Sequence, residues 1–126
     1  MIEVNGKIIE RALIVREPWI GLILSGRKTW EMRSTGTSIR GLIGLIQQGT
    51  NLIVGTAELV DSLPKLSNQE MLAHFDKHRI NAADIDSGET WRWRYPWVLK
   101  NASTLVPSTR FKFKSGAVRW VHVEPA

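Results

Sequence analysis

Runs of strand length, punctuated by turn residues, recur along this chain and limit the folds open to it more than any other feature. Residues 12–15, 42–47 and 52–60 are apolar stretches of strand length, the last two separated by the turn-favouring Gly49, Thr50 and Asn51. Strand signals resume at 97–99, 103–106, 110–114 and 117–123, with Pro107 and Gly116 at the breaks. Helical patterns interrupt them. Pro18 opens a short helix carrying Trp19, Leu22 and Ile23, which Gly26 is placed to end in a left-handed cap. Residues 28–33 then read as extended, with Trp30 and Met32 on one side and Thr29, Glu31 and Arg33 on the other. Ser67 with Glu70 forms a capping box and Leu66 with Met71 a hydrophobic staple, which predicts a helix from Asn68 to about Arg79. Asn81 caps a further short turn through Ala82 to Ile85 before Asp86, Ser87 and Gly88. The pattern predicts one α+β domain over 1–126, mainly β: a small barrel of five to seven strands with two or three flanking helices. An open α+β sheet is the alternative.

Composition removes several function classes. No window approaches the roughly 18 apolar residues of a membrane span, and the N-terminus lacks the layout of a secretory signal, so a cytoplasmic address without membrane contact is expected. The chain has no cysteine, which excludes disulfides, thiolate metal sites and cysteine nucleophiles. His74 and His78 stand four residues apart with Glu70 a turn earlier, but no third ligand of clear geometry follows. Asp84, Asp86 and Gly88 hint at a calcium loop, yet the glycine comes one position early and the distal glutamate is missing. Neither a metal nor a cofactor is expected.

The net charge of +5 is unevenly spread. Residues 61–89 carry three basic and six acidic groups, residues 90–126 seven and one. A cationic C-terminal third is attracted to polyanions, among which nucleic acid is the commonest inside cells. The run Trp91-Arg92-Trp93-Arg94-Tyr95-Pro96-Trp97 alternates rings with guanidinium groups, so that if extended the rings stack on bases and Arg92 and Arg94 hold phosphates. The opposing reading has the rings plug one end of the barrel and the arginines stay solvated. The run 110–114 repeats the alternation, and there an amphipathic edge strand is favoured over a binding role.

A second constellation, Arg27-Lys28-Thr29-Trp30-Glu31-Met32-Arg33, gathers cations and a carboxylate around a helix-to-strand turn. Arg33 can hold Glu31 ionised while Lys28 faces an anionic or carbonyl ligand; a surface salt-bridge network is the plainer alternative. Glu58 lies with Val54, Thr56 and Val60 on one face of an otherwise apolar strand, where a carboxylate needs a partner or a task.

Pro18-Trp19, the run Gly26-x-Lys28-x-x-Glu31-x-Arg33, Arg40-Gly41 before a strand, Gly55 in the next, Pro96-Trp97-Val98-Leu99, and Gly116 with Trp120 together resemble the ASCH domain family. The resemblance covers most of the chain. It implies a PUA-like barrel with a cleft beside the first helix lined by Lys28, Glu31 and Arg33, and an association with RNA or nucleotides. A few members are implied to be nucleases or nucleoside-amide hydrolases. That hydrolase subgroup is similar at Gly26-Arg27-Lys28-Thr29 but places a threonine nucleophile where this chain has Glu31. The expected function is therefore a nucleic-acid or nucleotide-binding module that recognises single-stranded RNA or a nucleobase. Its expected ligand-binding residues are Trp19, Lys28, Trp30, Glu31, Arg33, Arg40, Arg92, Trp93, Arg94 and Trp97. The alternative is a hydrolase acting on RNA, a ribonuclease, or on a modified nucleoside amide, with Lys28, Glu31 and Glu58 as catalytic candidates. A third possibility is a protein partner docking on the acidic helix 68–79.

Overall fold

In the computed structural model, residues 1–112 and 119–126 are described. An N-terminal hairpin of β1 (Ile2–Val4) and β2 (Lys7–Ile9) precedes β3 (Arg11–Val15) and α1 (Trp19–Leu24). Next come β4 (Trp30–Arg33), β5 (Gly41–Gln47) and β6 (Leu52–Ser62), then three short helices, α2 (Asn68–Ala73), α3 (Phe75–His78) and α4 (Ala82–Ser87). The chain closes with β7 (Tyr95–Lys112), β8 (Trp120–His122) and β9 (Glu124–Pro125).

The main sheet runs β4-β7-β6-β5-β3-β8, with β9 added to the far end of β7. Among the described residues only β3 and β5 pair in parallel. Both are nearly continuous apolar runs, Ala12, Leu13 and Val15 against Ile43, Leu45 and Ile46, as strands covered on both faces require. The sheet curls into a half-barrel. Trp97 on β7 stacks on Trp120 of β8, with ring centroids 5.7 Å apart and planes at 12°, although three strands separate β7 from β8 in the order. Helix α1 seats its apolar stripe inside the curl, burying Ile20 and Ile23 with Leu13, Leu45, Leu59 and Leu99. Gly55 makes that approach possible. A Cβ there would run into the Leu24 side chain and come within 2.7 Å of the Ser103 carbonyl oxygen.

Several expectations need correction. The strands foreseen at 97–99, 103–106 and 110–114 join in one strand, β7, because Pro107 falls in a register shift of the β6–β7 ladder, where no amide donor is needed. The stretch 91–97 is not extended throughout. Trp91 and Trp93 donate backbone hydrogen bonds in turns to Gly88 and Thr90, so the ring-and-cation alternation is broken before β7 begins. The helix expected to reach Arg79 breaks at His74, where φ is −120° and ψ 32°. The Met71 carbonyl, which a continuous helix would give to the Phe75 amide, instead accepts from the His74 amide at 3.2 Å and meets the His78 imidazole Nε2 at 2.6 Å. Phe113, Lys114 and Gly116, with the start of the strand expected at 117–123, lie outside the described residues.

Candidate functional site

The turn between α1 and β4 is fixed from two sides. Gly26, at φ +80°, lets the chain wrap over the end of α1, so that the amides of Arg27 and Lys28 both reach the Leu22 carbonyl at 3.0 Å. The helical insertion then clamps it. Thr29 N donates to Lys77 O at 3.0 Å, Arg79 Nε to Arg27 O at 2.8 Å, and Lys28 Nζ to His78 O at 2.6 Å. His78 is itself locked, its Nδ1 accepting from the Ile80 amide at 2.9 Å, which leaves the hydrogen on Nε2 to bond Met71 O. Burial lowers the pKa of this imidazole and keeps it neutral. With both ring nitrogens occupied, it has no lone pair for a metal. His74 packs its ring 5.0 Å from that of Trp30. Among the described residues no group of three potential ligands converges on one point.

These contacts place Lys28, 2% exposed, in the wall of a hollow of about 480 Å³. Its ammonium lies 4.7 Å from the centre of the Trp19 ring. Burial is the largest influence on its pKa, which is drawn down to about 8; Glu31 works against that shift and Arg33 adds to it. Glu31, also buried, accepts from Arg33 Nη2 at 2.8 Å and Nε at 3.2 Å, both through Oε2. Arg33 Nη2 also donates to Ile14 O at 2.9 Å, tying the pair to β3. Oε1 of Glu31 has no such partner among the described residues, and Glu31 is part of the wall of the hollow.

Five of the expected residues share this hollow: Trp19, Lys28, Glu31, Arg33 and Trp93. The others do not. Trp30 turns toward His74 and the core beneath α2. Trp97, 1% exposed, is a core residue whose Nε1 donates to Thr35 O at 2.8 Å, so its ring is closed to a base. Arg40 bonds the Thr37 and Ile39 carbonyls at a separate depression of the surface. Glu58 pairs across the ladder with Lys100, outside the hollow. Arg92 is exposed elsewhere, and Arg94 is 1% exposed rather than solvated, lying 4.6 Å from the Trp91 ring with Nε and Nη1 unbonded among the described residues. Sequence reasoning missed Arg16, Gln48, Asp84, Glu89 and Thr90 as parts of this hollow; they complete its polar lining, and Ile14, Val15, Met32 and Ile80 supply the apolar part. Arg16 directly follows a buried strand, and Asp84 and Glu89 belong to the acidic insertion; those were the available signals.

The family model of the ASCH domain matches residues 13–109, a span that includes every residue lining the hollow. The chain belongs to the ASCH domain family. The ASCH fold is borne out by solved structures. The crystal structure of ASCH from Zymomonas mobilis superposes with a TM-score of 0.59 at 15% identity, covering 75% of this chain and 69% of that one. A tyrosine-to-phenylalanine mutant of the same Zymomonas mobilis protein matches at the same score and identity, with 71% of its chain covered. No curated protein sequence matches this ASCH chain. Among the described residues, no helix is long and apolar enough to cross a membrane.

Proposed function

We propose that this ASCH domain binds a nucleobase, as part of single-stranded RNA or as a nucleoside, in the hollow beside α1. One observation carries the reading: a buried ammonium and a buried carboxylate line the same cavity as two indole rings, Trp19 and Trp93. A base offers flat faces to the rings, a carbonyl to Lys28 Nζ, and ring or amino N–H groups to Glu31 Oε1. A cavity of about 480 Å³ is in the range of small-molecule sites. The family, generally thought to bind RNA, supports the same ligand class. Lys100, Arg110, Lys112 and Arg119 are exposed cations that phosphates of a longer strand would meet outside the hollow. Arg33, committed to Glu31 and Ile14, acts as an orienting group and not as a phosphate ligand.

Titration of short single-stranded RNA oligomers at low salt, followed by tryptophan fluorescence, tests the proposal. Quenching that Lys28→Ala weakens by about tenfold or more is the expected result. Absence of quenching, or binding indifferent to Lys28→Ala, refutes the assignment of the hollow.

A hydrolytic reading rests on one further observation, the lowered pKa of Lys28 next to Glu31. Glu31 would act as general base on water while Lys28 stabilises the developing oxyanion. Glu58 and Thr29 do not line the hollow, so of the catalytic candidates named from the sequence Glu31 is the carboxylate left to act as base. Turnover of RNA or of an acylated nucleoside, abolished by Glu31→Gln, decides it. A rate unchanged by that substitution rejects it.

A further inference from the structure

The lining of the hollow is balanced in charge. Arg16, Lys28 and Arg33 share it with Glu31, Asp84 and Glu89. The partnering is not balanced. Lys28 is bonded to the His78 carbonyl, and Arg33 to Glu31 and the Ile14 carbonyl. Among the described residues neither Asp84 nor Glu89 is within an ion pair. Asp84 is half-buried in the first turn of α4, its amide held at 2.8 Å by the Asn81 side chain; Glu89 is exposed just beyond Gly88, which ends α4 in a left-handed cap. Among the described residues only Arg16, exposed at the end of β3, is a cation of the lining whose side chain has no polar partner. A phosphate brought into this space would therefore meet two unpaired carboxylates against the Arg16 guanidinium and the Lys28 ammonium, which keeps its charge beside a neutral carbonyl, with no net attraction. An amino group would meet two acceptors without a competing partner.

On the basis of the reading above, we propose that Asp84 and Glu89 are specificity-determining residues: they make the hollow accept an amino-bearing base or nucleoside and keep the phosphate outside it. The ligand enters base first, one N–H of its amino group serving Glu31 and the other facing α4, with its sugar toward the mouth. The α4 insertion thus acts as a filter by repelling the wrong end of the ligand as much as by attracting the right one.

The experiment compares cytidine, uridine and cytidine monophosphate as titrants of the full chain, read by tryptophan fluorescence and calorimetry. The wild-type protein is expected to bind cytidine more tightly than either uridine or cytidine monophosphate. In the Asp84→Asn, Glu89→Gln double variant the affinity for cytidine monophosphate relative to cytidine should rise about tenfold, the scale of removing two nearby like charges. Glu89→Gln alone, at an exposed position, should give part of that change, and unaltered circular dichroism checks the fold. Wild-type preference for cytidine monophosphate or for uridine, or a ratio unmoved by the double variant, overturns this inference and leaves base binding standing. Failure of all three titrants to bind overturns the base-binding reading itself.

Discussion

Replacing Lys28 by methionine tests the physical core of the site. The lysine side chain is 2% exposed, and burial draws its pKa from 10.5 to about 8. Between those two values the unfolded chain holds a proton that the folded chain has released, so the contribution of Lys28 to stability rises with pH across that window. Each unit corresponds to about 1.4 kcal/mol, which makes the whole window worth on the order of 3 kcal/mol, of which about 2 kcal/mol has accumulated at about pH 9.5. Lys28→Met keeps the length of the stem and removes the titrating group. Urea unfolding of both proteins at about pH 7 and about pH 9.5 isolates the effect as a difference between two pH dependences, in which the other lysines cancel. The wild-type protein is expected to gain about 2 kcal/mol more than the variant over that interval. At about pH 7 the two should differ by less than about 2 kcal/mol, because the lost hydrogen bond to His78 offsets the burial cost removed with the charge. Equal pH dependences, to within about 0.5 kcal/mol, would refute the placing of an ammonium in a desolvated wall.

Three further perturbations address the frame around the hollow. Gly55→Ala forces a methyl group against Leu24 and the Ser103 carbonyl, and should cost about 1–3 kcal/mol in urea unfolding; a neutral result would mean that α1 does not seat on β6. Ser67→Ala removes the hydroxyl that accepts from the Glu70 amide at 3.1 Å and should cost about 1 kcal/mol by thermal melting. The Ser67 backbone amide, which the variant keeps, and to a lesser degree the Ser67 hydroxyl hold the Glu70 carboxyl below its ordinary 4.5; the hydroxyl's share of that stabilisation is present above this value and fades as pH falls through the lower folded value, so the variant should show a slightly flatter acid limb. Arg94→Met should be neutral or stabilising, because it replaces a buried guanidinium whose Nε and Nη1 are unbonded by an apolar stem; a loss of several kcal/mol would show that the charge has a partner in solution.

Local rules made much of this molecule legible. The capping box at Ser67 and Glu70 is formed as its spacing demands, and Asn81 caps α4. The buried strands β3, β5 and β6 lie where the apolar runs are, because four or more consecutive apolar residues can be satisfied only between two covered faces. The N-terminal hairpin was equally legible and was overlooked: Asn5-Gly6, both at positive φ, is a two-residue turn between Val4 and Lys7. The cluster around Lys28 and Glu31 could be suspected from its charge density, since so many ionised groups at one turn require partners or solvent.

What the chain alone determines, then, is its strand runs, its caps and the collection of Lys28, Glu31 and Arg33 at one helix-to-strand turn, all of which depend on interactions between near neighbours in sequence. Tertiary structure decided which rings are open and which cations are free. Trp97 and Trp93 belong to one aromatic run, yet the curl of the sheet buries the first against Trp120 while a turn leaves the second at the hollow. Arg92 and Arg94 are two residues apart, yet one is exposed and the other enclosed. Asp84 and Glu89 reach the hollow only because α4 folds back across a turn more than fifty residues earlier. Burial and charge pairing are set by whatever the curled sheet brings opposite, and no local spacing encodes that.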